Sequence, residues 1–223
     1  MTVAEQVGSE AVRAAFAGGT DVDACVDLAR RVNGLAIQAF EAFRDGGIAC
    51  RVGCSFCCHL RVMVRPHEAI ALYRELGSGI PKAQAAQVRQ RVLDTAAQVR
   101  RLGPQAHAAA RLPCAFLVDG SCSVYAARPL ACAGFHSLDR GRCEQDYRAA
   151  TEAAIHDGTA AAEGAGIPML QGLGAATGLL EAGLDAGLAQ RGLDARRAEL
   201  HEAVAALIRN PSLIARWRAG RAL

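Results

Sequence analysis

Apolar side chains recur at helical spacing along the first part of the chain. Between Val22 and Phe43 an apolar residue returns every three or four positions, which is typical of a helix that packs one face into a core. Thr20–Asp21 offers a helix cap before this run, and Gly46–Gly47 stops it. The pattern therefore predicts a helical N-terminal segment over residues 1–46.

The periodicity then changes. A short extended piece is predicted at Leu60–Val64. Pro66 follows at a position that the first turn of a helix tolerates, so a short helix is expected to run from there to Leu76. A longer helix is predicted from Pro81 to about Leu102.

Irregular sequence, rich in Pro, Gly and Ser, occupies Gly103–Cys143. Helical periodicity returns from Glu144 onward. The predicted helices cover residues 144–163, 173–190, 194–209 and 211–219.

One glycine series in this region superficially suggests a nucleotide-binding loop. Its members are Gly172, Gly174 and Gly178, but no strand precedes them as such a loop requires. We interpret these glycines as small residues in helix packing.

The composition favours helices over strands. Only 4% of the 223 residues are aromatic, 52% are apolar and alanine is abundant, which disfavours a sandwich, a barrel or a disordered chain. We predict a mostly α fold, with a single helical domain over residues 1–223. Two irregular cysteine-bearing loops lie in a core at about 50–143, flanked by helices at 1–46 and 144–223.

Charge does not identify a macromolecular partner. The net charge is +3, and Lys82 is the one lysine among 25 basic residues, which suggests a high-GC bacterial genome. Two groups of arginines lie on amphipathic helical segments and are interpreted as solvated faces, so nucleic-acid binding is not expected. They are Arg89, Arg91, Arg100 and Arg101, and Arg209, Arg216, Arg218 and Arg221.

The chain carries no signature of secretion or of a membrane span. Its N-terminus lacks a basic segment followed by an apolar run, so we expect the reducing cytoplasm. The longest uncharged run has 17 residues between Glu163 and Glu181 and contains Pro168, so it is too short and too broken to cross a bilayer. No membrane partner is expected, and the sequence identifies no protein partner.

Cysteines are the main chemical feature of the chain. Eight of the nine fall into two groups separated by 55 residues, whereas Cys25 stands alone in the first predicted helix. The first group spans nine residues and the second spans thirty. The groups are Cys50, Cys54, Cys57 and Cys58, and Cys114, Cys122, Cys132 and Cys143.

This clustering predicts a metal centre. Thiolates repel each other and resist burial, so several of them in one place require a cation or an iron-sulfur core. Two distant groups, each on a loop between helices, would make metal binding stabilise the tertiary fold. All eight cysteines are candidate ligands, with Cys58 and Cys143 ranked after the other six. Cys25 is expected to be a small buried apolar residue.

The identity of the metal stays open between two alternatives. The sulfurs could hold one iron-sulfur cluster with spare cysteines, or two zinc ions that share a bridging thiolate. The Cys57–Cys58 doublet argues against one mononuclear ion, and we slightly prefer iron-sulfur. His59 and His136 are further candidate ligands, whereas His67, His107, His156 and His201 are expected to be solvated or on helix surfaces.

Three linked motifs carry a resemblance to a known family. They are Cys50-x3-Cys54-x2-Cys57-Cys58, Leu112-Pro113-Cys114 and Cys122-x-Val124-Tyr125-x2-Arg128-Pro129-x2-Cys132. Together they resemble the YkgJ-type cysteine-cluster family, described as zinc- or iron-chelating proteins, and flagellin lysine methylases carry a similar cluster. The resemblance implies metal binding in a mostly helical bacterial protein. Ala133 departs from the pattern, because a basic residue is expected there.

Two neighbours of the cysteines have alternative roles. Pro129 fixes the path between Cys122 and Cys132, so Arg128 is first a scaffold residue. Arg128 could instead direct its donors at the metal-bound sulfurs or at an anionic ligand. Tyr125 is expected to be a hydrogen-bonding core residue, or alternatively a proton donor near the metal.

The function is predicted as metal binding, with a metal-cluster enzyme for redox chemistry or methyl transfer as the alternative. The spacing Cys50-x3-Cys54-x2-Cys57 also occurs in radical enzymes that bind S-adenosylmethionine. However, those enzymes use a barrel of alternating strands and helices, which this sequence does not predict.

Overall fold

The computed structural model describes residues 3–17, 21–43, 47–51, 53–156 and 166–223. Its helices confirm the prediction of a mostly α fold. They are α1 (Val3–Ala15), α2 (Asp21–Ala42), α3 (Pro66–Ser78), α4 (Lys82–Ala110), α5 (Leu130–Ala133), α6 (Arg140–His156), α7 (Gln171–Gln190), α8 (Leu200–Arg209) and α9 (Leu213–Arg218). Within the described ranges, no helix combines the length and apolarity needed to span a membrane.

The strands are two residues long and form two antiparallel pairs. In the first pair, β1 (Met63–Val64) lies beside β4 (Ala198–Glu199), so it ties the start of α3 to the start of α8. In the second pair, β2 (Leu117–Val118) and β3 (Ser121–Cys122) form a hairpin that carries a cysteine.

The hydrophobic core joins the N-terminal, central and C-terminal parts of the chain. Helices α2, α3, α4 and α8 bury apolar side chains in one cluster, and Phe116 and Leu130 of the cysteine-bearing segment belong to the same cluster. That segment is therefore anchored by apolar packing on both sides of Cys122. The domain boundaries themselves stay a prediction.

Helix α7 packs against α1 through glycines. A Cβ atom on Gly8 would lie 2.6 Å from Gly183, and a Cβ atom on Gly187 would lie 2.9 Å from Val12. Such close backbone approach needs residues without side chains. By contrast, Gly174 and Gly178 face open space, so the interpretation of these two residues as packing glycines is wrong.

The boundaries of α4 and α8 differ from the sequence pattern. Helix α4 continues to Ala110 across a kink at Gly103, because Pro104 can occupy the first turn of a new helical stretch. The helix predicted from residue 194 begins instead at Leu200, because the preceding residues pair with β1. Glu199 caps this helix by accepting a hydrogen bond from the Glu202 amide at 2.9 Å.

Some predicted features lie outside the described residues. They are Thr20 of the predicted cap, Gly46 of the predicted stop and residues 157–163 of the predicted helix 144–163. The described part of that helix begins earlier than predicted, at Arg140.

Candidate metal centre

Tight turns keep the first cysteine group compact. Gly53 has a φ of +83°, a conformation that glycine adopts without strain, and the Cys54 amide donates to the Arg51 carbonyl at 3.0 Å. Cys57 and Cys58 then follow on a 3₁₀ turn at Phe56–His59. Four thiols therefore project from one short segment of backbone.

The second group begins on a hairpin whose turn is set by two residues. Asp119 and Gly120 have φ values of +48° and +74°, as a two-residue hairpin turn of type I′ requires. The turn places Leu117 directly opposite Cys122. The Leu117 amide also donates to the Cys114 carbonyl at 2.9 Å, so Cys114 and Cys122 lie at the same end of the hairpin.

The last two cysteines lie on helices. Cys132 belongs to the short helix α5, which Pro129 precedes, and Cys143 belongs to the first turn of α6. The sequence pattern predicts Cys143 at the end of an irregular segment, whereas the structure places it on a helix.

Backbone hydrogen bonds join the two groups. The Cys114 amide donates to the Cys58 carbonyl at 2.8 Å. The Ala49 amide donates to the Ser137 carbonyl at 2.8 Å, and the Ser137 amide donates in return to the Cys50 sulfur at 3.3 Å. The structure therefore brings together the two segments that 55 residues separate in sequence.

Cys57 occupies the electrostatic centre of the cluster. A hydrogen bond with Cys58 and burial raise the pKa of the Cys57 thiol strongly. A charge on Cys57 would in turn repel charge on five other cysteines and raise their pKa values. These are Cys50, Cys114, Cys122, Cys132 and Cys143.

Burial is the largest cause of the raised thiol pKa values in the second group. It raises the pKa of Cys114 and of Cys122 to about 11, although the backbone amides of Phe116 and Val124 partly oppose this shift. It raises the pKa of Cys132 well above its ordinary value. These thiols are therefore protonated at neutral pH unless a cation favours their thiolates.

The donor set fits a thiophilic metal. Soft, partly buried sulfur ligands are those that zinc, iron and iron-sulfur clusters take in proteins. Within the described ranges, however, no three Cys, His, Asp or Glu side chains are arranged to hold one ion. Metal binding would therefore require side-chain rotations in the cluster. Cys25 lies apart from it, buried in α2 as a member of the hydrophobic core.

The two candidate histidines differ in position. His136 is fully buried: its Nδ1 lies 3.2 Å from the Gly134 carbonyl, and its Nε2 accepts from the Leu170 amide at 2.6 Å. Both ring nitrogens are therefore engaged, which disfavours His136 as a ligand. His59 lies against the Tyr147 ring, with its Nδ1 3.1 Å from the Ser55 carbonyl.

The prediction that His67, His107 and His201 are solvated is wrong, because all three are buried. His201 Nε2 accepts from the Ala115 amide at 3.2 Å, so Nδ1 carries the proton and donates to Glu199 at 2.8 Å. The hydrogen bond from the Ala115 amide to His201 therefore fixes the backbone directly after Cys114. The side chain of His156 lies outside the described residues.

Glu68 is a supporting residue that the sequence analysis did not single out. Its carboxylate accepts from the Arg65 amide at 2.7 Å and from the Leu130 amide at 2.8 Å, which fixes the start of the helix that carries Cys132. Pro66 followed by Glu68 is a recognisable helix-start signal, but nothing local indicates the second bond to Leu130.

Ser137 is a second such residue. It is buried, its amide donates to the Cys50 sulfur at 3.3 Å, and its hydroxyl donates to the Asp139 carbonyl at 2.9 Å. Burial raises the pKa of the Cys143 thiol, and the Ser137 side chain partly opposes this shift. It therefore contacts one cysteine from each group. No sequence signal distinguishes it from other serines in the irregular segment.

Arg128 combines a scaffold position with an electrostatic effect. Its guanidinium lies 4.2 Å from the centre of the Tyr125 ring, and its charge lowers the pKa of Cys57 and of Cys122. Tyr125 is 58% exposed, so the expectation that it lies in the core is wrong.

A small recess that is partly open to solvent, with room for about one water molecule, adjoins the cysteines. Cys57 and Cys143 line it together with aromatic and apolar side chains, and Arg111 and Asp146 supply its polar groups. The cluster therefore borders a space outside the hydrophobic core.

The comparisons with known proteins agree with this chemistry. Residues 49–153 match a family model described as CxxCxxCC, "Putative zinc- or iron-chelating domain", and this range contains all eight clustered cysteines. No curated protein and no solved structure shows significant similarity to the chain. The part of the chain that carries the cysteine cluster, under half of its length, is therefore similar to this family of zinc- or iron-chelating domains.

Proposed function

We propose that the protein binds an iron-sulfur cluster or zinc through the eight clustered cysteines. Cys50, Cys54, Cys57, Cys114, Cys122 and Cys132 are the first-choice ligands. Cys58 and Cys143 complete the sulfur set, either as ligands or as hydrogen-bond partners of ligands.

The observation that carries this proposal is the direct contact between the two cysteine groups. The hydrogen bond from the Cys114 amide to the Cys58 carbonyl joins them, and deprotonation of Cys57 would disfavour thiolates in both groups. A cation among these thiols would relieve this repulsion and stabilise the contact. Cysteines that were buried only as small apolar residues would stay protonated and would need no cation.

Three features support iron-sulfur over zinc. The chain supplies more thiols than one tetrahedral zinc ion uses, the Cys57–Cys58 doublet suits a polynuclear centre, and Cys50, Cys54 and Cys57 have the spacing of a cluster-binding triad. A binuclear zinc centre with a bridging thiolate is the alternative.

Anaerobic purification followed by elemental analysis tests the proposal. Iron and acid-labile sulfide in similar amounts, with visible sulfur-to-iron charge-transfer absorbance, would establish the iron-sulfur centre. Zinc without sulfide in a colourless protein would assign zinc. Folded protein that holds neither metal, even after reconstitution with each, would contradict the proposal.

A metal-cluster enzyme for redox chemistry or methyl transfer is the second candidate. The observation that favours it is the solvent-open recess beside Cys57 and Cys143, because a reactant must reach the centre from solvent. Reversible reduction of the centre by dithionite, followed by visible absorbance, would support redox chemistry. A centre that undergoes no electron transfer would support a structural, storage or sensing role.

The cytoplasm is the compartment that we propose for this chemistry. Its reducing thiol pool keeps cysteines available as metal ligands rather than as disulfides. Fractionation of cells that produce the native protein, with the metal centre followed by its absorbance, tests the location.

A further inference from the structure

Two buried polar side chains hold the backbone that leads into α5, the helix of Cys132. Asn33 of α2 donates from Nδ2 to the Ala126 carbonyl at 3.1 Å. Glu68 of α3 is 4% exposed, and its Oε1 accepts from the Leu130 amide at 2.8 Å. The short stretch of chain before α5 is therefore fixed at both ends by helices that carry none of the clustered cysteines.

Glu68 is itself held in place by a second set of bonds. Its Oε2 accepts from the Arg65 amide at 2.7 Å. The buried Arg65 guanidinium donates from Nε and Nη2 to the carboxylate of Asp185, on α7. Both oxygens of Glu68 are thus engaged, and the residue rests on a base that joins α3 to α7.

Helix α5 is too short to define its own position. It comprises Leu130–Ala133, about one turn, and a helix of this length is not stable by itself. The amides of a first helical turn have no acceptor within the helix, so an acceptor elsewhere in the fold fixes where the helix begins. Because Cys132 lies in that same turn, the carboxylate of Glu68 sets the position of its backbone.

We propose that Glu68 is a positioning residue of the metal centre, which presets the backbone of Cys132 so that metal binding requires only side-chain rotation. This inference rests on the proposed function, with Cys132 as a ligand. Asn33 supports the same stretch of backbone from α2. Groups that orient metal ligands typically contribute about 10- to 100-fold to metal affinity.

The charge of Glu68 acts in the opposite direction from its hydrogen bonds. Burial is the largest cause of the raised pKa of the Cys132 thiol, and the negative charge of Glu68 raises this pKa further. Removal of the charge alone would favour the thiolate and tighten metal binding. Removal of the positioning bond would weaken metal binding, so the two effects have opposite signs in one variant.

Glu68→Gln separates these effects. Glutamine keeps the size of the side chain, but its NH₂ group cannot accept a hydrogen bond from the second amide. Metal-free full-length wild type and variant are titrated anaerobically with cobalt(II) against a competing chelator, and the sulfur-to-cobalt charge-transfer absorbance is recorded. The variant should bind cobalt about 10- to 100-fold more weakly and with an altered charge-transfer spectrum. Affinity equal to or tighter than that of the wild type would overturn the proposal.

Trp217→Phe is the control for a general loss of stability. Trp217 is fully buried in α9, and phenylalanine removes the hydrogen bond from its Nε1 to the Asp194 carbonyl, which is 2.7 Å long. This variant loses a buried side-chain-to-backbone bond away from α5, so its folded form should keep the cobalt affinity and spectrum of the wild type. The same loss of affinity in Trp217→Phe would overturn a specific role of Glu68.

The failure of this inference is distinct from the failure of the proposed function. Wild-type protein that binds neither cobalt nor a reconstituted iron-sulfur cluster would overturn the proposed function, on which the role of Glu68 depends. In protein that holds only the iron-sulfur cluster, a chelator should remove its visible absorbance at least about tenfold faster from Glu68→Gln than from the wild type. Equal rates would overturn the role of Glu68 alone.

A measurement on the wild type covers the case in which Glu68→Gln does not fold. The Leu130 amide should exchange its hydrogen slowly in metal-free, folded protein, because Glu68 already accepts from it before metal is bound. Unprotected exchange of this amide in the metal-free protein would overturn the proposal.

Discussion

Some polar residues are buried in this protein although their local sequence indicates that they are exposed. His67 follows Pro66 at the start of α3 and was expected at the surface, yet it is fully buried, and both of its ring nitrogens lack a partner among the described residues. Burial, reinforced by the charge of Arg65 and opposed by that of Asp185, lowers its pKa from 6.5 to about 3. The imidazole is therefore neutral in the folded protein at neutral pH.

His67→Leu should leave the free energy of unfolding at neutral pH unchanged or raise it. The substitution removes a desolvated polar group that makes no hydrogen bond and keeps a similar volume. Urea unfolding at neutral pH measures this effect. A large loss of stability would show that the ring has a polar partner after all.

The same variant should also alter the acid sensitivity of the fold. Because the pKa of His67 is lower in the folded than in the unfolded chain, unfolding takes up a proton below pH 6.5. As the pH falls from 6.5 toward 3, this proton uptake lowers the free energy of unfolding by up to about 1.4 kcal/mol per pH unit. Urea unfolding across this range should show a shallower decline for His67→Leu, and an identical decline would contradict the assignment.

At the scale of elements, helix α7 shows how one helix can contain glycines with opposite roles. Gly187 lies against Val12 and Ser9 of α1, whereas Gly178 is exposed, with no atom within 4 Å of its added Cβ position. The spacing of these glycines in sequence does not distinguish them, because the partner helix lies about 170 residues earlier in the chain.

Gly187→Ala should destabilise the protein by about 1–3 kcal/mol, because the new methyl group would press on the backbone of α1. Gly178→Ala is the matched control in the same helix. It should stabilise the protein by about 0.5–1 kcal/mol, because alanine has the higher helix propensity. Chemical denaturation measures both variants, and equal effects of the two would contradict the proposed packing of α7 on α1.

In the second cysteine group, too, the sequence pattern did not reveal the local structure. Asp119–Gly120 between Val118 and Ser121 is a hairpin signal, and it lies inside the segment that we predicted as irregular. The kink at Gly103 was likewise interpreted as the end of a helix. Both local signals were present in the sequence, but the α4 boundary depends on whether Pro104 begins a new turn, which periodicity does not decide.

For the whole molecule, the sequence predicted the fold class and the metal-chelating character of the cysteine-bearing region in general, because these depend on periodicity and on residue type. It could not predict the contacts that support the site. Glu68 bonds Leu130 across 62 residues and His201 bonds Ala115 across 86, and such pairs depend on the tertiary path of the chain. Arg111 was missed because its burial depends on how α4 and α6 pack.

Metal binding by the whole cluster should release protons. Cys114 and Cys122 have pKa values of about 11 in the metal-free fold, so each is protonated near neutral pH and must lose its proton to bind a metal ion. Zinc affinity should therefore rise with pH, by roughly tenfold per pH unit for each thiol deprotonated, until the pH approaches these pKa values. Chelator competition at several pH values measures the slope, and an affinity independent of pH would contradict thiol ligation.

In the proposed protein, one metal centre holds the two distant cysteine groups together. The most direct test compares metal content and melting temperature in Cys54→Ser, Cys122→Ser and the core control Cys25→Ala, each with and without a chelator. We predict that either serine variant loses most of its metal, whereas Cys25→Ala retains its metal. The melting temperature of each serine variant should fall, and a chelator should lower it little further. Full metal content and an unchanged melting temperature in both serine variants would contradict a metal centre shared by the two cysteine groups.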